Sequence, residues 1–109
     1  MRDKSDILRG TLDLLILKTV ALEPMHGFGI GLRIQQISRD VFRLNQGSLY
    51  PALSRLERDG LIASGWSESD NNRRAKFYRL TRAGKKRLSE STAGWQRVSE
   101  AINRILRTA

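Results

Sequence analysis

Residues 46–62, QGSLYPALSRLERDGLI, constrain this chain more than any other stretch. Leu49, Leu53 and Leu56 recur at i, i+4 and i+7, which places them on one face of a helix. Gly47, Pro51, Ser54, Arg55 and Arg58 fall on the other side, with Gln46, Ser48 and Tyr50 near the helix start. Asp59-Gly60 supplies the stop, because glycine accepts the left-handed backbone that ends many helices. A helix with a buried leucine stripe and a polar outer face can pack on its own domain and still lie in a DNA groove. The same pattern also describes an ordinary amphipathic helix, so the rest of the chain has to decide.

Charge narrows the partners. The 109 residues are the size of one domain, with 20 Lys+Arg, 11 Asp+Glu and a net charge of +9. Such an excess favours nucleic acid or another anionic surface. It is uneven: residues 1–60 hold 9 basic and 7 acidic groups, residues 61–109 hold 11 and 4. Arg73, Arg74, Lys76, Arg79, Arg82, Lys85, Lys86 and Arg87 follow one another without an intervening acid.

Catalytic and metal chemistry is poorly supplied. There is no cysteine and a single histidine, His26, in a turn-like Pro24-Met25-His26-Gly27 setting that suits capping or packing. Gly27, Gly29 and Gly31 mimic a phosphate loop, but they belong to a helical pattern with no Lys-Ser/Thr behind them, and read as close helix packing. We expect no catalytic residues, no metal and no cofactor. The start, MRDKSDILRG, has no signal-peptide pattern, and the longest apolar run, Leu14–Leu17, is too short to span a bilayer, which predicts a cytoplasmic protein without a membrane partner.

The order of elements is legible. Leu8, Leu12, Leu15, Ile16 and Val20 predict a first helix over 5–22, capped by Ser5 or Asp6 and stopped at Glu23-Pro24. A second helix runs from about Gly27 to Arg39, with Ile30, Ile34 and Ile37 inward and Phe28 and Leu32 on a second apolar edge that suggests a second neighbour. Residues 40–45 connect it to the third helix, whose cap is either Ser48 or Asn45; the latter leaves Pro51 deep enough to kink the helix. Either way Gln46–Tyr50 stand at a helix entrance, where free N–H groups favour phosphate. Strands follow at 61–67 and 75–80 around a turn at 68–72, and Thr81 caps a last helix over 82–107. On that helix Leu88, Thr92, Trp95, Val98 or Ser99, Ile102 and Ile105 or Leu106 keep a 3–4 repeat too apolar to stand alone.

Three helices followed by a basic hairpin make an α+β, mostly α fold: a winged helix-turn-helix over 1–81, continuous with a long C-terminal dimerisation helix over 82–109. The third helix would read DNA. Gln46 suits adenine and Arg55 guanine, with phosphate as the alternative for either; Tyr50 suits thymine methyl, sugar or phosphate unless it only packs on the second helix; Ser48 is shared between capping and a phosphate, and Ser54 stands beside them. Arg73, Arg74 and Lys76 would contact the backbone, with a structural role in the wing open for Lys76. The last helix would dimerise with the first, through Leu8, Leu12, Leu15, Trp95 and Ile102, and an isologous dimer matches an inverted-repeat site in double-stranded DNA.

Three linked motifs carry a resemblance. They are His26-Gly27-Phe28-Gly29-Ile30; Gly47-Ser48-Leu49-Tyr50-Pro51-Ala52-Leu53 with Arg55-Leu56-Glu57 and Gly60-Leu61-Ile62; and Arg73 with Lys76-Phe77-Tyr78, Leu80-Thr81 and Gly84. In order and spacing they resemble the PadR family of bacterial transcriptional regulators, in its short form with one C-terminal helix. The resemblance implies a homodimeric repressor on an inverted-repeat operator, in some relatives released by a small aromatic or hydrophobic effector. It also implies that a tryptophan on the last helix can pair across the dimer axis and line a flat cavity. Trp95 matches that position, with Ser99 one turn further on. The alternatives are a multidrug sensor in which that cavity is the main signal input, and an RNA-binding or protein-interaction module on the same scaffold.

Overall fold

The protein, a computed structural model, is described over residues 9–68 and 74–109. Its elements run α1 (Arg9–Leu22), β1 (Met25–His26), α2 (Gly27–Ile37), α3 (Gln46–Arg58), β2 (Ile62–Glu68), β3 (Arg74–Leu80) and α4 (Arg82–Arg107). The predicted cap at Ser5 or Asp6, Leu8, Arg73 and most of the predicted turn lie outside the described residues. The α+β, mostly helical class and the winged arrangement of helices and hairpin are as expected.

The core follows the periodicity. Leu12, Ile16, Leu17 and Val20 of α1 meet Ile30 and Ile34 of α2, Leu49, Ala52, Leu53 and Leu56 of α3, and Leu61, Ile62 and Tyr78 of the wing. Burying each large aliphatic side chain contributes about 1.5–3 kcal/mol, so this cluster is the main source of cohesion. Two expectations for α2 fail: Ile37, expected inward with Ile30 and Ile34, is exposed at the helix end, and Phe28 and Leu32 of the second edge are exposed as well, because α1 and α3 both dock on the Ile30–Ile34 side.

Local chemistry sets the boundaries. The Nδ1 of His26 accepts the Gly29 N–H at 2.9 Å and starts α2, while the His26 ring meets Phe77 edge-on at 5.5 Å. Helix α2 ends at Ile37, short of Arg39, where the N–H of Asp40 bonds the Gln35 carbonyl and Arg39 and Asp40 both take positive φ, an uncommon state for residues with a side chain. Asn45, not Ser48, caps α3: its Oδ1 accepts the Ser48 N–H at 2.8 Å. Pro51 therefore sits inside α3, and the Gly47 carbonyl loses its donor on an exposed turn that water can reach. At the other end Gly60 has φ +76°, its N–H bonds Glu57 O and the Leu61 N–H bonds Leu56 O, a Schellman closure that turns the chain into β2.

The sheet has the order β1-β3-β2, all antiparallel. Its third strand, Met25–His26, was not expected from the sequence; it pairs with Tyr78 and Phe77 and ties the α1–α2 connection to the wing. Thr81 closes the other side: its Oγ1 accepts the Gly84 N–H at 3.0 Å to start α4 and lies 2.9 Å from the Leu61 carbonyl as donor.

Candidate nucleic-acid interface

Helix α3 presents one polar stripe to solvent. Gln46, Tyr50, Ser54 and Arg58 recur every four residues and are all exposed, while Leu49, Leu53 and Leu56 are buried behind them. Of the expected residues, Gln46 and Ser54 face outward, Ser48 is half-buried at the cap, and Tyr50 packs on the second helix while staying partly open to solvent. Its ring lies over Gly27, where a Cβ would stand 2.7 Å from Cε1, yet the residue remains 38% exposed. The entrance of α3 thus needs a glycine at the start of α2.

Arg55 was expected on the outer face and is not there. Its Nη2 bonds the Asp13 carboxylate of α1, with both side chains about one-third exposed. One position of helical rotation separates a groove-facing arginine from a clamp between helices. The outward arginine is Arg58, which carries a side chain 74% exposed and only a distant approach, 3.9 Å, to Asp59. The spacing 46, 50, 54, 58 was the available signal for it.

Lys76 is also engaged within the chain. Its Nζ is 3.3 Å from Glu57 Oε1 and 5.7 Å from the centre of the Tyr78 ring, so the structural role is met. Glu57 in turn accepts the Ser64 hydroxyl, and this bond, helped by Lys76 against the cost of burial, holds its carboxyl below the ordinary carboxylate range. Burial pushes the Tyr78 phenol up. These contacts lock the C-terminal half of α3 to the wing. Arg74 is exposed, and its guanidinium stands over the Trp66 ring at 5.3 Å.

The residues assigned to a dimer surface divide. Leu12 belongs to the protomer's own core at 6% exposure, because its turn of α1 faces the buried cluster. Leu15 is half-buried beside it. On α4, Trp95, Val98, Ile102, Ile105 and Leu106 are exposed, and Ser99 is half-buried among them. Among the described residues no group of His, Cys, Asp and Glu could hold a metal, and no helix is long and apolar enough to cross a membrane.

Comparison with known proteins places this architecture. Residues 16–90 match the model of the transcriptional regulator PadR-like family. The transcriptional regulator Rv3488 of Mycobacterium tuberculosis is 34% identical over 94 residues, 86% of this chain and 84% of the relative. A transcriptional regulator from Clostridium thermocellum superimposes with TM-score 0.84 at 27% identity, over 94% of this chain and 99% of that one. A PadR-like transcriptional regulator from Bacillus cereus gives TM-score 0.84 at 26% identity, over 95% and 99%. With a family match over most of its length and a fold shared almost end to end, the chain belongs to the PadR-like family, whose members are transcriptional regulators and not enzymes.

Proposed function

We infer that the protein is a sequence-specific repressor that binds an inverted-repeat operator as a homodimer. PadR regulators bind DNA and usually act as dimers; the operator, the sign of regulation and the residue roles are our reading. The observation that carries it is the solvent stripe Gln46–Tyr50–Ser54–Arg58 on a helix whose opposite face is anchored by three leucines. Such a helix enters a major groove as a rigid body, with side chains of hydrogen-bonding and arginine type toward base edges. Ser48 at the capped entrance and Arg73 and Arg74 on the wing would hold phosphates, which sets affinity and salt dependence. The test is a titration of labelled duplex DNA from the region upstream of the protein's own gene against scrambled DNA of equal length, across a salt series. The expected result is a preference for the native fragment that persists as salt rises, with a footprint on an inverted repeat. Equal binding that collapses with salt would reduce the interaction to charge alone.

A second reading adds an effector. The Trp95 ring is 48% exposed in the protomer and is bordered on α4 by Val98 and Ile102, a flat apolar surface that suits an aromatic compound held between two copies. In this reading planar aromatic dyes quench tryptophan fluorescence, and the quenching disappears in Trp95→Phe although Trp66 still reports. Equal quenching in that variant would remove Trp95 from ligand binding.

A further inference from the structure

Trp66 is a large, exposed side chain that the reading above leaves without a task. It is 62% exposed, more than Trp95, on a strand whose inner end is fully buried at Ile62. Strand alternation and register give its surroundings. Ile62, Ser64, Trp66 and Glu68 share one face of β2, and their partners Leu80, Tyr78, Lys76 and Arg74 stand on the same face of β3. That face meets α3, since Ser64 and Lys76 both bond Glu57. Trp66 continues it about 7 Å beyond Ser64, past the edge of α3 and toward the wing end. It is therefore on the side of the sheet from which the recognition stripe is presented.

Charge alone is a poor account of this patch. Lys76 is held by Glu57, and Arg74 faces Glu68 across the ladder. What remains open is an indole with a guanidinium over it, 5.3 Å from the ring centre. A planar aromatic face with an adjacent oriented cation is complementary to a sugar next to a phosphate. Resting on the reading of α3 as the recognition helix, we propose that Trp66 packs its ring on a deoxyribose of the duplex flanking the groove that α3 enters, with Arg74, aligned by that ring, on the neighbouring phosphate. The wing then contributes a contact that is mainly apolar, and so insensitive to salt, next to its electrostatic one.

The full-length Trp95→Phe protein, in which Trp66 is the sole tryptophan, is titrated with the duplex from its own upstream region. Expected are a change in Trp66 emission and strong protection of that ring from acrylamide in the complex. Trp66→Ala lowers affinity about tenfold with an unchanged slope of log affinity against log salt, Trp66→Phe recovers most of the loss, and Arg74→Ala flattens the slope by about 0.9. A native circular dichroism spectrum verifies that each variant is folded. If the Trp95→Phe protein binds the native duplex while its Trp66 stays open to acrylamide, or if Trp66→Ala binds as tightly as wild type, the wing contact is overturned and the repressor reading survives. If wild type shows no preference for the native duplex over scrambled DNA, it is the repressor reading that falls, and the acrylamide result on either duplex still decides whether Trp66 meets DNA.

Discussion

Gly84→Ala is expected to cost the protein at least about 3 kcal/mol, a large part of the stability of a domain this size. A Cβ at Gly84 would lie 2.0 Å from the carbonyl oxygen of Leu61 and 2.8 Å from Leu80 Cδ1. The first of these is backbone, and it cannot swing aside cheaply: the Leu61 carbonyl accepts the Thr81 N–H at 3.2 Å and lies 2.9 Å from the Thr81 hydroxyl. Alanine would have to lift the first turn of α4 off the sheet, breaking the Thr81 cap with it. Helix propensity runs the other way, favouring alanine by about 1 kcal/mol, so the sign of the change tests the packing argument. Gly94 is the control on the same helix, because a Cβ there would meet only Arg97 Nη2 at 4.0 Å. In thermal melts at one protein concentration, Gly84→Ala should lower Tm by more than about 12 °C, and Gly94→Ala should raise it by several degrees. A Gly84→Ala melt within two or so degrees of wild type would mean that α4 is not seated tightly on the start of β2.

If the protein acts as the proposed homodimer on an inverted repeat, Ile102→Asp is expected to leave it monomeric and to weaken operator binding by about 100-fold or more, since two linked half-site contacts become one. Helix α4 has 26 residues, about 39 Å, and its N-terminal part is held by α1 and the sheet through Gly84 and Leu88. Beyond Leu88 the apolar positions Trp95, Val98, Ile102, Ile105 and Leu106 stay exposed in the protomer, between 47% and 75%. A face of that length needs a cover, and a second copy provides one by symmetry. An aspartate at Ile102 would bury a charge in such an interface without disturbing the protomer, where the position is already half open to water. Sedimentation should report a monomer with an unchanged helical spectrum, and gel shifts the loss of affinity. A variant that stays dimeric would move the interface elsewhere, and a dimer-free variant that still binds tightly would remove the inverted-repeat requirement.

Much of the site can be read from residue order, and the failures share a cause. The leucine stripe of α3, its Asp59-Gly60 stop, the Thr81 cap and the His26 cap all depend on groups within a few residues of one another. The choice between Asn45 and Ser48 was also local, yet both residue types can cap, and the structure uses Asn45. The distant contacts were out of reach. Asp13 and Arg55 are 42 positions apart, and no periodicity in either helix says that they meet. Glu57 and Lys76 come together only because α3 crosses the face of the wing that carries Ser64. Strand β1 is two residues long, too short for alternation to register, and exists because β3 offers it a free edge.

By itself the sequence determined the buried leucine stripe of α3 and its Asp59-Gly60 stop, the Thr81 start of α4, and that a basic hairpin follows three helices, because burial periodicity, caps and turn residues act over one or two turns of chain. The tertiary structure alone decided what each polar side chain is left free to do. It drew Arg55 to α1 and Lys76 to α3, and left Trp66 open to solvent. The physical reason is that an ion pair or an exposed ring is set by the distance between elements far apart in the chain, and that distance follows from how the helices and the sheet pack against one another.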